Sequence, residues 1–220
     1  MTPHGDVAVA RLVVSRLRSN CYLLRCRGTG ETIVVDAGDE GERILLAIDR
    51  LTGGRRELVR AIVNTHGHVD HTAAVADLRA ALGPVPVIMH PLDVELVEGN
   101  GPDARDYLRR AYEPVPPDRL VREGDTIEFG GCALLVIETP GHSPGGICLR
   151  GPGLLFSGDT LFRRGIGRAD GFKGDRAALL DSLRRKLLDL PDETIVYPGH
   201  GEATTIGEER AENPYLSAED

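Results

Sequence analysis

Within Thr65-His66-Gly67-His68-Val69-Asp70-His71, three imidazoles and one carboxylate occupy six consecutive positions. The run follows an apolar strand and precedes a helix. Residues two apart in extended backbone point the same way, so His66 and His68 can offer two neutral nitrogens to one metal ion. Asp70 and His71 come as the chain turns into the helix at Thr72, where adjacent side chains can aim at a second centre. Three more donors close later apolar segments, each directly after a glycine that lets the backbone turn sharply. They are His142 in Thr139-Pro140-Gly141-His142, Asp159 in Ser157-Gly158-Asp159-Thr160 and His200 in Tyr197-Pro198-Gly199-His200. Seven donors are too many for one four-coordinate ion and suit two ions that share a carboxylate. Imidazole and carboxylate alone leave zinc, iron and manganese open.

The elements that must position these donors are short. With 27 Gly and 14 Pro, turns punctuate the whole chain. Apolar, β-branched runs at 7–14, 20–26, 31–38, 58–64 and 85–89 predict strands, with helices at 41–51 and 72–82 between them. Two short helices broken at Gly99–Pro102 are expected in 91–112, and Pro114, Pro116 and Pro117 mark a loop. Strands then recur at 125–129, 132–139, 147–150 and 154–160, followed by a Gly/Arg-rich loop. A helix is expected over 175–190 with Leu180, Leu183, Leu187 and Leu190 on one face. The stretch 194–200 closes with a strand and a turn.

The two parts can be overlaid. AIVNTHGH matches LVIETPGH, the hairpin ending in VVDAG answers the one ending in FSGDT, and VIMHP faces IVYPGH. Such self-similarity suggests a duplicated β-then-α unit, with halves at about 1–115 and 116–220 of one domain. Two sheets, each with helices on one face, must bury their bare faces together, which predicts a four-layer α/β/β/α sandwich.

Composition narrows the partners. The 220 residues are 41% hydrophobic and 27% charged, ordinary for a globular protein. A net charge of −8, four Phe and no Trp argue against a nucleic-acid platform. No apolar run approaches the roughly 18 residues of a membrane span, and the start lacks a signal-peptide pattern, so a cytoplasmic protein is expected. Cys21, Cys26, Cys132 and Cys148 form no CxxC pair and are expected as buried small hydrophobes. His4 reads as a disordered terminus and His90 as part of a strand-to-helix connection. Nothing in the sequence assigns an oligomeric state.

The HGHVDH run with His142, Asp159 and His200 downstream resembles the metallo-β-lactamase fold. TPGHSPGG, SGDTLFRRGIGRAD and YPGHGEATTIGEERAENPYL look specifically like the glyoxalase II-type (hydroxyacylglutathione hydrolase) family, from NCYLL to NPYL. The chain ends soon after Thr204-Thr205-Ile206-Gly207, so the likeness is to that family's shorter, single-domain branch. The resemblance implies that His66, His68 and His142 hold one divalent ion and Asp70, His71 and His200 the other. Asp159 would bridge, with Asp70 and Asp159 both catalytic, and Asp36 would orient a ligand or water from outside the coordination set. Zinc is the first choice of metal, with iron or manganese as alternatives. The implied reaction is hydrolysis of a thioester, an S-2-hydroxyacyl conjugate of a small thiol such as S-lactoylglutathione, by a metal-bridging hydroxide. The absence of Cys among the donors disfavours antibiotic hydrolysis. A mononuclear non-haem iron persulfide dioxygenase is the alternative, and a lactonase or other ester hydrolase a further one. Arg163, Arg164, Arg168 and Lys173 could meet substrate carboxylates or be solvated charges, and Arg168 could equally pair with Asp170.

Overall fold

The computed structural model describes residues 2–99, 104, 108, 110–171 and 173–216. Two twisted sheets are built in succession along the chain. The first contains β1 (Thr2–His4), β2 (Val7–Val14), β3 (Ser19–Cys26), β4 (Thr32–Val35), β5 (Val59–Val63), β6 (Val87–Met89) and β7 (Arg119–Leu120), adjacent in that order. Strands β1 to β4 form an antiparallel meander; β5, β6 and β7 then add in parallel. Helix α1 (Gly41–Thr52) makes the β4-to-β5 crossover, and α2 (Val69–Thr72) and α3 (Val75–Leu82) lie between β5 and β6. Helix α4 (Val94–Gly99) follows β6. The second short helix expected in 91–112 falls largely outside the described residues.

The second sheet holds β8 (Thr126–Phe129), β9 (Cys132–Glu138), β10 (Ile147–Gly151), β11 (Leu154–Gly158), β14 (Ile195–Pro198) and β15 (Thr204–Thr205), in the order β15-β14-β11-β10-β9-β8. A small hairpin, β12 (Leu161–Phe162) with β13 (Gly165–Ile166), interrupts the path to α5 (Arg176–Ser182), and α6 (Ile206–Glu212) ends the fold.

Alternation along the strands sorts the apolar side chains into layers. Tyr22, Leu24, Cys26, Ile33, Val35 and Val63 meet Phe129, Leu134, Val136, Leu149 and Phe156 between the sheets. Cys21, Leu23, Val34 and Ile62 face the other way onto Ile44, Ile48 and Leu78 of α1 and α3. Ile137, Cys148, Leu155 and Val196 pack under Leu179, Leu183, Leu187 and Leu190. The result is the α/β/β/α sandwich.

Several local expectations need correction. The helix over 72–82 is two pieces separated at Ala73–Ala74, and α2 already begins at Val69. The long helix over 175–190 is α only to Ser182 and continues as a π turn over Leu183–Leu187. Leu180 packs partly buried against the row, and Leu179 joins it fully buried, its backbone seated against Gly141, which has no Cβ. His4 is in β1, paired with Val7. The overlay also shifts. β11 and β14 are parallel neighbours as β4 and β5 are, so the positional counterpart of the turn at His66 is the turn at His200, not that at His142. β7, beyond residue 115, still belongs to the first sheet. Among the described residues no helix is long and apolar enough to cross a membrane.

Candidate metal centre

The C-terminal ends of the parallel strands open on one edge of the sandwich, and all seven predicted donors gather there. After β5, His66 and His68 flank Gly67, and His68 remains extended at the start of α2. That geometry sends both rings toward His142, with His66, His68 and His142 forming one group of donor atoms within 4.8 Å of one another. Asp70 and His71, carried into the first turn of α2, form a second such group with His200.

Asp159 lies between the groups. Its Oδ2 is 3.5 Å from both His142 Nε2 and His200 Nε2, and its Oδ1 is 3.5 Å from His71 Nε2. Close backbone approach makes this placement possible. Gly158 has φ 48°, and a Cβ there would meet Thr65 Oγ1 at 2.5 Å; a Cβ on Gly199 would collide with Asp159 Oδ1. The two sheets join at the same place through an isolated bridge between Ser19 and His200.

Most of the rings are oriented from outside. Thr65 Oγ1 lies 3.1 Å from His66 Nδ1, the Arg168 carbonyl 2.7 Å from His142 Nδ1 and the Leu17 carbonyl 3.1 Å from His200 Nδ1. Asp36 Oδ2 lies 3.0 Å from His71 Nδ1, while Asp36 also accepts from Thr65 N at 2.7 Å and Thr65 Oγ1 at 2.8 Å. Such contacts fix which nitrogen of each imidazole is left to ligate. Asp36 also falls in a donor group with His66 and His71. Its oxygens are already committed, which suits an orienting role.

His66 and His71 are fully buried, whereas His68, His142, Asp159 and His200 are partly exposed and form the open face. Burial, reinforced by the neighbouring imidazoles, pushes His66 well below its ordinary range, and burial with His142 lowers His68 to about 4. Both rings are therefore neutral at pH 7, as ligands must be. Burial opposes charge on His71 and His200, but Asp70 and Asp159 outweigh it and raise both; Asp36 adds to the effect at His71. Burial likewise opposes charge on Asp70, but His71, His200 and the Ser19 hydroxyl at 2.9 Å hold it well below the usual carboxylate range.

The donor set fits a pair of cations. His66 Nε2 and Asp159 Oδ1 are buried with no hydrogen-bond partner among the described residues, and His68 Nδ1 faces His142 Nε2 at 2.8 Å. Leaving such atoms buried and unpaired is costly, whereas a cation would satisfy them together.

Sequence reasoning missed Asp93. This fully buried carboxylate accepts from Gly67 N at 2.8 Å, Ser143 Oγ at 2.7 Å and Gly145 N at 2.6 Å, tying the His66–His68 turn to the His142 turn. It also missed Asn20 and Tyr22 as braces of the His200 turn, both donating to the Pro198 carbonyl, at 2.8 and 2.7 Å. His90 is buried and bound to Glu138 at 2.8 Å in the connection expected for it. The Arg168 side chain is 85% exposed and 3.7 Å from Asp170, so its carbonyl rather than its guanidinium serves the site. Arg163 is exposed, Arg164 pairs with Glu212, and Lys173 pairs with Glu95 at 2.5 Å.

A four-layer sandwich with imidazole and carboxylate donors gathered at one edge of both sheets defines a metallohydrolase class. The metallo-beta-lactamase superfamily profile matches residues 14–200, and the chain belongs to that superfamily. It is 33% identical to hydroxyacylglutathione hydrolase GloC of Haemophilus influenzae, over 93% of this chain and 96% of that protein. The crystal structure of TTHA1623 in a di-iron-bound form is similar at TM-score 0.82 and 43% identity, covering 94% of this chain and 100% of the other. That of BLEG-1 B3 metallo-beta-lactamase is similar at TM-score 0.85 and 32% identity, covering 96% and 100%. The chain is thus a metallohydrolase of the metallo-β-lactamase fold.

Proposed function

We propose that the protein hydrolyses a thioester, an S-2-hydroxyacyl conjugate of a small thiol such as S-lactoylglutathione. The observation that carries this reading is the split donor cluster with the Asp159 carboxylate between its two halves. His66, His68 and His142 would hold one divalent cation, Asp70, His71 and His200 the other, and Asp159 both. Zinc is the first candidate; iron is supported by the di-iron form of the similar TTHA1623, and manganese suits the same donors. Two such ions, when bound, supply Lewis acidity and a water acidic enough to react as a nucleophile near neutral pH.

The chain's own residues favour a leaving group that departs without a proton. Hydroxyls around the cluster are engaged: Ser19 donates to Asp70, Tyr22 to the Pro198 carbonyl and Thr65 to Asp36. An amide nitrogen would need a proton donor, whereas a thiol with a pKa near 8.5 leaves as the thiolate. The partly exposed His68, His142, Asp159 and His200 face the side from which an acyl group enters. A small-molecule partner also suits the net charge of −8 better than a nucleic acid does.

A mononuclear iron oxygenase would need two His and one Asp. The convergence of Asp70, His71 and His200 on a further position favours the binuclear hydrolase. The test is elemental analysis of the purified chain beside assays with S-lactoylglutathione, thioesters of other small thiols, a lactone, a β-lactam and a persulfide with oxygen uptake. Two cations and fastest turnover of a thioester are expected. One iron with oxygen consumption, or faster turnover of the lactone or β-lactam, would overturn the reading.

A further inference from the structure

The four cysteines are all buried and free, but they do not share one environment. Cys21 faces the helices outside the first sheet and Cys148 those outside the second. Cys26 and Cys132 alone point into the layer between the sheets. Cys26 ends β3 and Cys132 begins β9, so a contact between them crosses from one sheet to the other. Both lie against Asp6, whose carbonyl is 3.6 Å from Cys132 Sγ and accepts from Arg27 N, next to Cys26, at 2.8 Å. Ser19, at the opposite end of β3, bridges to His200. The eight-residue strand separates these two ties by roughly 23 Å at about 3.3 Å per residue.

Beside the pair stand the turn at Arg27, Gly28 and Thr29 and the two-residue hairpin turn Gly130–Gly131, all exposed. Gly130 has φ 61°, and a Cβ there would lie 2.8 Å from Cys26 Sγ, so the turn rests directly on the sulfur. The turns are tied together by Gly130 N donating to Glu31 at 2.6 Å, and Cys132 Sγ lies 3.6 Å from the Asp6 carbonyl.

We propose that Cys26 and Cys132 form a reversible intrachain disulfide, made by exchange with a low-molecular-weight disulfide, that staples the two sheets at the end opposite the metal centre. The Cys26 thiolate attacks one sulfur of the small disulfide RSSR, forming Cys26–S–SR and releasing RS⁻. Cys132 gives its proton to solvent and attacks the Cys26 sulfur, forming the protein disulfide and releasing the second RS⁻. The protein loses two electrons and RSSR gains them.

The two sulfurs are suited to unequal parts. Burial opposes ionisation of Cys26, but hydrogen bonds from the Thr29 side chain and backbone, the Gly131 backbone and Cys132 bring it down to about 6. Burial, the contact with Cys26 and the charge of Asp6 push Cys132 up to about 12. Cys26 is thus the thiolate that attacks first.

The test uses the full chain incubated with excess 2-hydroxyethyl disulfide, then alkylated and digested without reduction. The expected result is an intact mass lower by two hydrogens and a cross-linked peptide joining Cys26 to Cys132. Cys21 and Cys148 should remain thiols. Because the closed loop is long, Tm should rise by about 5–15 °C and return with dithiothreitol. Cys132→Ser should stop at a stable adduct on Cys26. A stable Cys26 adduct in the unsubstituted chain, a pairing through Cys21 or Cys148, or no oxidation would overturn the proposal, and the unsubstituted chain decides this even if the variant fails to fold.

Discussion

His71 Nδ1 lies 3.0 Å from Asp36 Oδ2, and Asp36 occupies a left-handed backbone conformation at φ 57°. A non-glycine residue held there at a strand end is strained, and the strain persists because its carboxylate is used three ways. It accepts from Thr65 N and Oγ1 while fixing the ring of His71. Asp36→Ala should therefore cost about 3 kcal/mol from orphaned donors, and weaken metal retention roughly 10–100-fold. Denaturant unfolding and competition with a chelator would measure the two effects; unchanged metal retention would mean that Asp36 does not position His71.

Gly199→Ala removes no donor, yet its methyl group would collide with Asp159 Oδ1 and stand 2.8 Å from His71 Cε1. Metal content should fall in this variant while far-UV circular dichroism stays native. Full loading would show that Asp159 is free to move aside.

Asp93→Ala should remove the carboxylate that accepts from Gly67 N, Ser143 Oγ and Gly145 N, costing about 3 kcal/mol. The first cation should be lost before the second, since both affected turns carry its donors. Titration with a chromophoric chelator would resolve the order, and loss of the second ion first would contradict the tie.

The two halves of the site should bind metal with different pH dependence. Burial first, and then neighbouring imidazoles, keep His66 and His68 neutral at pH 7, so these two rings gain little from raising the pH further. His71 is raised above its ordinary value by Asp70, Asp159 and Asp36 despite burial, and it must shed a proton to ligate. Affinity at the second position should thus keep rising above pH 7, with proton release on binding. Calorimetry in buffers of different ionisation enthalpy would detect it. Equal slopes for both ions would contradict the assignment.

The sequence made the donors legible because chemistry is concentrated there: His66 to His71 are contiguous, and His142, Asp159 and His200 each follow a glycine at a strand end. The layers were legible for a similar reason, since the β-branched runs leave few other ways to bury both sheets. Contacts that depend on distant partners were not. Asp93 in an ordinary HPLD segment gives no sign that it will meet Gly67, Ser143 and Gly145. Leucine spacing in 175–190 does not reveal that the helix widens into a π turn at Leu183 and settles Leu179 on Gly141. The likeness of Thr-x-Gly-His segments masked the true positional match, which follows from parallel pairing of β11 with β14 rather than from residue identity.

A pair of cations on either side of Asp159 would fix the metal stoichiometry of the chain at two. Chain loaded with zinc, freed of excess metal and compared with Asp159→Ala by elemental analysis should contain two equivalents per chain, and the variant fewer of both. A single equivalent in the unsubstituted chain, or undiminished metal in Asp159→Ala, would contradict the account.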